Sequence, residues 1–102
     1  MWIVKPATLK GYWELYPDSE SGLRVWMARA QSAHWRNIQE VRRDYPHADA
    51  VMTGSGAVAT VFNLCGNKYR LITAIHYNTG RVFVMRFFTH AQYSKDRWKD
   101  QL

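Results

Sequence analysis

The sequence predicts an α+β domain in which N-terminal helices pack on one face of a small, mostly antiparallel β-sheet. Three observations carry that expectation. Apolar residues recur at helical spacing through the first half of the chain, they alternate at strand spacing from Val61 to Tyr93, and two turn signals, Gly66-Asn67 and Asn78-Thr79-Gly80, punctuate the alternating stretch. Helices followed by strands form segregated layers, because each layer must bury its apolar face against the other. With 102 residues, 47% of them hydrophobic, the chain is expected to form one domain, residues 1–102, around a single core.

Trp2-Ile3-Val4 reads as a short first strand, and Pro6 suits the first turn of a helix that carries Leu9, Tyr12, Trp13 and Tyr16 and is stopped by Pro17. A second helix starts at the capping candidates Asp18 and Ser19, places Leu23, Trp26, Met27 and Ala30 on one stripe, and runs to about His34. Asn37 caps a third helix, Ile38 to Asp44, which Tyr45-Pro46 breaks. Thr53-Gly54-Ser55-Gly56 is a turn leading into the sheet, which is read as a three-strand meander.

The two sheet loops fix a register. A two-residue loop at Gly66-Asn67 sets Asn63 opposite Arg70, and a three-residue loop at Asn78 to Gly80, with Gly80 left-handed, sets Ile72 opposite Arg86 and Arg70 opposite Phe88. Strand alternation then puts Phe62, Leu64, Tyr69, Leu71, Thr73, Ile75, Phe83, Met85 and Phe87 on the core face. Asn63, Lys68, Arg70, His76, Arg86 and His90 fall on the other face, among Val61, Ile72, Ala74, Val82, Val84 and Phe88, and that face is expected to stay open. A four-residue second loop would instead separate Arg70 from Arg86.

Charge sharpens the picture. Net charge is +6 with a pI near 9.8, and no Asp or Glu occurs between Ala50 and Lys95, a span that holds Lys68, Arg70, Arg81, Arg86, Lys95, His76 and His90. Such a face suits an anionic partner such as nucleic acid. The one cysteine, Cys65, excludes an internal disulfide and multi-cysteine zinc motifs, and is expected to be buried and reduced. No apolar run approaches the length of a membrane helix and the N-terminus does not read as a signal peptide, so a soluble, cytoplasmic protein is expected.

Val61-Phe62-Asn63, then Gly66-Asn67-Lys68-Tyr69-Arg70-Leu71-Ile72, and Thr89-His90 followed by Tyr93 resemble the signature of the HigB family of toxins in the RelE-like superfamily. Trp35 and Tyr45-Pro46-His47-Ala48-Asp49 fit the same pattern, so the likeness spans essentially the whole chain. It implies a RelE-like fold and the toxin of a type II toxin–antitoxin pair that cleaves mRNA, commonly on the ribosome, and is silenced by a helix-turn-helix, HigA-like antitoxin. The chain departs from the pattern in the bulky Phe88 and in Cys65 before the turn glycine.

A cofactor-free, metal-independent cut is the chemistry these residues suit. The acid-free segment lacks the carboxylates that hold divalent ions, whereas RNA can be cleaved by its own 2′-hydroxyl given a proton carrier and cations for the phosphorane charge. His90 has the side chain that ionises near neutrality and lies in the family motif, so it takes the acid/base role. Arg70 grips phosphate, with Arg86 or Lys68 as a second cation, and Tyr93, one turn after His90, donates a proton or stacks under a base. Asn63, Lys68 and Lys95 are expected to contact RNA, and Trp98 in the polar tail to be an exposed contact. The charge pattern alone suits equally a non-catalytic RNA- or ribosome-binding module, and Phe88 leaves room for a decayed toxin that mainly binds its antitoxin.

Overall fold

A computed structural model of the chain describes residues 1–95 and 97–102. In order it forms β1 (Trp2–Val4), α1 (Ala7–Leu15), a 3₁₀ turn (Pro17–Ser19), α2 (Glu20–Ser32), α3 (Ile38–Asp44), β2 (Asp49–Met52), β3 (Val58–Leu64), β4 (Tyr69–His76), β5 (Arg81–Thr89), α4 (His90–Ser94) and a 3₁₀ segment (Arg97–Gln101). The sheet has five strands in the order β1-β5-β4-β3-β2, antiparallel throughout except that β1 runs parallel to β5. The architecture is the expected α+β one. The meander gains β2 on one edge, a strand too short and too little alternating to announce itself, and β1 on the other.

The helices cover one face. Leu9 and Trp13 of α1 and Leu23, Trp26 and Ala30 of α2 pack with Ile3, Phe62, Leu64, Tyr69, Leu71, Val82 and Phe87. Phe62 is the hub, with the rings of Trp26, Trp35 and Tyr45 at 5.4, 6.0 and 5.2 Å. Asn37 caps α3 as expected, its side-chain oxygen accepting from the Glu40 amide at 3.0 Å. The caps expected for α2 are not made. The Ser19 hydroxyl donates back to the Tyr16 carbonyl at 2.7 Å, and the Asp18 carboxylate reaches across to β4.

Two expectations are corrected by the sheet. The β4–β5 loop has four residues, Tyr77 to Gly80, because His76 pairs with Arg81. Val82 and Val84 therefore face the core, while Phe83 lies against His76 and Met85 packs outside, the reverse of the expected sorting. A β-bulge at Ile72/Thr73 then shifts the register by one residue, restoring Ile72 opposite Arg86 and Arg70 opposite Phe88. The hairpin thus reaches the expected pairing at its far end by a different route.

The outer face is not open. Ala59, Val61 and Ile72 form a second apolar cluster with Trp98, flanked by Val51, Met85, Phe88, Tyr93 and Leu102. Trp98 is 4% exposed, so the tail residue expected to be a surface contact is the keystone of this cluster. Three buried apolar side chains on one sheet face need a cover, and the only aromatic in the tail supplies it. The Gly54 amide pins the tail by donating to the Lys99 carbonyl at 2.8 Å. A Cβ on Gly54 would come within 3.3 Å of Lys99 and Asp100, so glycine is what lets the two backbones meet.

Candidate functional site

The β3–β4 hairpin organises the site. Cys65, Gly66 and Asn67 all have positive φ, 55°, 61° and 77°, and the turn between the paired Leu64 and Tyr69 has four residues where two were expected, with the expected register kept. The Asn67 carbonyl accepts from Arg70 Nη1 at 2.8 Å, and the Lys68 carbonyl accepts from the His90 amide at 3.0 Å. One turn therefore holds both residues. His90 is the first residue of α4 because Thr89 caps that helix. Thr89 Oγ1 accepts from the Gln92 amide at 3.2 Å and Gln92 Oε1 accepts from the Thr89 amide at 3.0 Å, a reciprocal capping box.

Arg70, His90 and Tyr93 come together. Arg70 is 6% exposed, a costly place for a charge unless its donors are met. They are met by the Asn67 and Tyr69 carbonyls and by His90, whose Nδ1 lies 3.0 Å from Nη2. A guanidinium has no acceptor, so Nδ1 accepts and the neutral imidazole carries its proton on Nε2. The Arg70 guanidinium carbon lies 5.5 Å from the Tyr93 ring centroid, and Trp98 stacks on Tyr93, 5.4 Å away at 25°. Phe88 packs toward Trp98, with ring centroids 6.3 Å apart.

The remaining expected residues scatter. Asn63 pairs across the strands with Arg70 and so shares its face. Lys68 instead forms an ion pair with Asp18, whose other carboxylate oxygen accepts from the Tyr69 hydroxyl at 2.6 Å. Those two hydrogen bonds, Lys68's first, hold the Asp18 carboxyl below its usual range, and Asp18 in turn raises both Lys68 and Tyr69. Arg86 is exposed and donates to its neighbour's carbonyl, that of Met85, at 2.7 Å. Its charge acts on the Tyr12 hydroxyl of α1, which burial raises and Arg86 pulls back. Lys95 is exposed at the C-terminal end of α4. Among the described residues, no three His, Cys, Asp or Glu side chains converge as a metal site would require.

A family model of HigB toxins, the RelE-like toxic components of toxin–antitoxin systems, matches residues 19–96. The chain belongs to the HigB toxin family. It is thus the toxin component of a toxin–antitoxin system, and membership implies an antitoxin partner. No curated protein matches it. The matched segment of this HigB-family chain contains Arg70, His90 and Tyr93, whereas Trp98 lies beyond it. Among the described residues, no helix is long and apolar enough to cross a membrane.

Sequence reasoning about this HigB-family toxin missed Asp18, the Thr89–Gln92 cap and the Trp98 backing. The cap had a visible signal, Thr-x-x-Gln at the end of a strand. Asp18 lies 50 residues from Lys68 and had none.

Proposed function

We propose that the toxin is a metal-independent endoribonuclease that cleaves mRNA on the translating ribosome, in the cytoplasm, and is silenced by a helix-turn-helix, HigA-like antitoxin. The observation that carries the reading is the contact between Arg70 Nη2 and His90 Nδ1, made, among the described residues, without a carboxylate partner to Arg70. A guanidinium held by two carbonyls and an imidazole keeps its full charge for an arriving phosphate.

The chemistry follows from the tautomer. While Arg70 donates to Nδ1, that nitrogen can neither carry nor accept a proton. A phosphate oxygen is a stronger acceptor than neutral imidazole, so substrate draws Arg70 toward the phosphorus and frees Nδ1. His90 then takes up and delivers the proton for the transfer in which the 2′-oxygen attacks phosphorus and the 5′-oxygen leaves. Arg70 bears the charge that builds on the phosphorane oxygens, and Tyr93, fixed beside it, donates a hydrogen bond or stacks on a base. Arg86 is the second cation, approaching from the α1 side. Asn63 and Lys95 contact the RNA, whereas the Lys68 charge is already balanced by Asp18.

The test is the chemistry of the ends. Cleavage of mRNA on ribosomes is expected to leave a 2′,3′-cyclic phosphate, or the 3′-phosphate from its hydrolysis, and a 5′-hydroxyl. A 5′-phosphate would overturn the mechanism.

A further inference from the structure

Beside Arg70 lies a cavity of about 380 Å³ lined by His47, Asn63, Gly66 and Asn67. His47 comes from the turn just before β2, Gly66 and Asn67 from the β3–β4 turn, and Asn63 from β3, where it pairs with Arg70. Asn67 ties the cavity to the site directly, since its carbonyl holds Arg70 Nη1 while its own residue lines the cavity.

The lining has a definite chemical character. Among the described residues it holds two carboxamides, an imidazole and a glycine, and no cation or carboxylate. Among the described residues, neither the His47 ring nor the Asn63 and Asn67 amides make a side-chain hydrogen bond, although Asn63 is half-buried. A site without cations does not hold phosphate. Carboxamides that offer both donors and an acceptor match the edge of a nucleobase, and an imidazole face suits stacking.

We propose that this cavity is a nucleobase subsite, holding the base of the nucleotide next to the phosphate gripped by Arg70, with His47 stacking on it and Asn63 reading its edge. This rests on the ribonuclease reading above. It makes His47 and Asn63 determinants of sequence preference, separate from the charge that binds the backbone.

Short 2′-O-methyl oligoribonucleotides of a single base type, A, C, G or U, resist cleavage and serve as probes in fluorescence anisotropy. Wild type is expected to separate the best from the worst by at least about tenfold. His47→Ala and Asn63→Ala should shrink that spread to about twofold and leave the salt dependence intact, and His47→Phe should keep the stacking contribution. His47 is exposed, so its loss leaves folding unaffected. Arg70→Ala should do the opposite, flattening the salt dependence while the spread survives. The subsite is overturned if the pocket variants weaken all four probes equally, if they leave the spread unchanged, or if wild type shows no spread. Absence of binding to every probe at any salt would also overturn the subsite, whereas the ribonuclease reading stands or falls separately on the end groups left by cleavage on ribosomes.

Discussion

Nη2 of Arg70 and Nδ1 of His90 stand 3.0 Å apart, so the guanidinium and the imidazole are hydrogen-bond partners before any substrate arrives. In the proposed mechanism each occupies the group the other needs, and their separation is the first event that substrate must bring about.

Loss of either partner should therefore disable the toxin. His90→Ala and Arg70→Ala are expected to lower RNA cleavage by about 10²- to 10⁴-fold and to relieve growth arrest on expression without antitoxin. Arg70→Lys should rescue little, because an ammonium on a shorter fork cannot meet the Asn67 carbonyl and His90 together. Growth arrest that persists in the well-folded His90→Ala variant would contradict the assignment.

Salt dependence separates cations that meet phosphate from those that do not. Arg70→Ala should reduce the slope of log affinity against log salt by about 0.7 for single-stranded RNA. Lys68→Ala should change it far less, since Asp18 already neutralises that charge. Asp18→Asn should then release Lys68 and steepen the slope. Equal losses at Arg70 and Lys68 would show that the Asp18 pair opens when RNA binds.

The Asp18–Lys68–Tyr69 cluster should also mark the pH profile of stability. Hydrogen bonds from Lys68 and Tyr69 lower the Asp18 carboxyl from 3.8, so its contribution is whole above that value and fades as pH falls through the lower folded value. Asp18 raises Lys68 from 10.5, so that contribution is whole below 10.5 and fades as pH climbs through the higher folded value. Melting temperatures of wild type and Asp18→Asn should differ across the neutral range and converge toward both extremes. A gap that stays constant down to about pH 2 would rule this out.

Trp98 joins stability to the site. Trp98→Ala should cost about 3 to 5 kcal/mol, since it empties the centre of the outer cluster, and it should remove the ring stacked on Tyr93. Gly54→Val should act at a distance by prising Lys99 and Asp100 from the β2–β3 turn. Denaturant melts and cleavage rates measured together provide the check: a Gly54→Val protein with normal stability and normal cleavage would mean that the tail is not held there.

What was legible in the sequence divides along physical lines. Alternation and the Gly66-Asn67 turn are local signals, and they sufficed for the first hairpin, for the core face of β3 and β4, and for the nearness of Asn63 to Arg70. The Asn37 cap and the span of α3 were equally local. Phe83, Met85, Val82 and Val84 were misplaced because a bulge leaves no trace in a strictly alternating pattern. Asp18 and Trp98 act through contacts that close long loops, and no spacing along the chain announces those. Of the candidate site residues, those within a few residues of the hairpin and the α4 cap were found together, and Arg86, next to the bulge, was not among them.

The bulge at Ile72/Thr73 has a mechanical meaning. It works as a slip joint: the Tyr77–Gly80 loop end of the β4–β5 ribbon runs one residue out of phase with the Arg70 end, and the offset is absorbed between them. The loop's length is thereby uncoupled from the placement of Arg70 and His90. A shortening of that loop by one residue can be taken up by erasing the bulge, so the distal tip of the ribbon is free to be resculpted while the Arg70 end keeps its alignment.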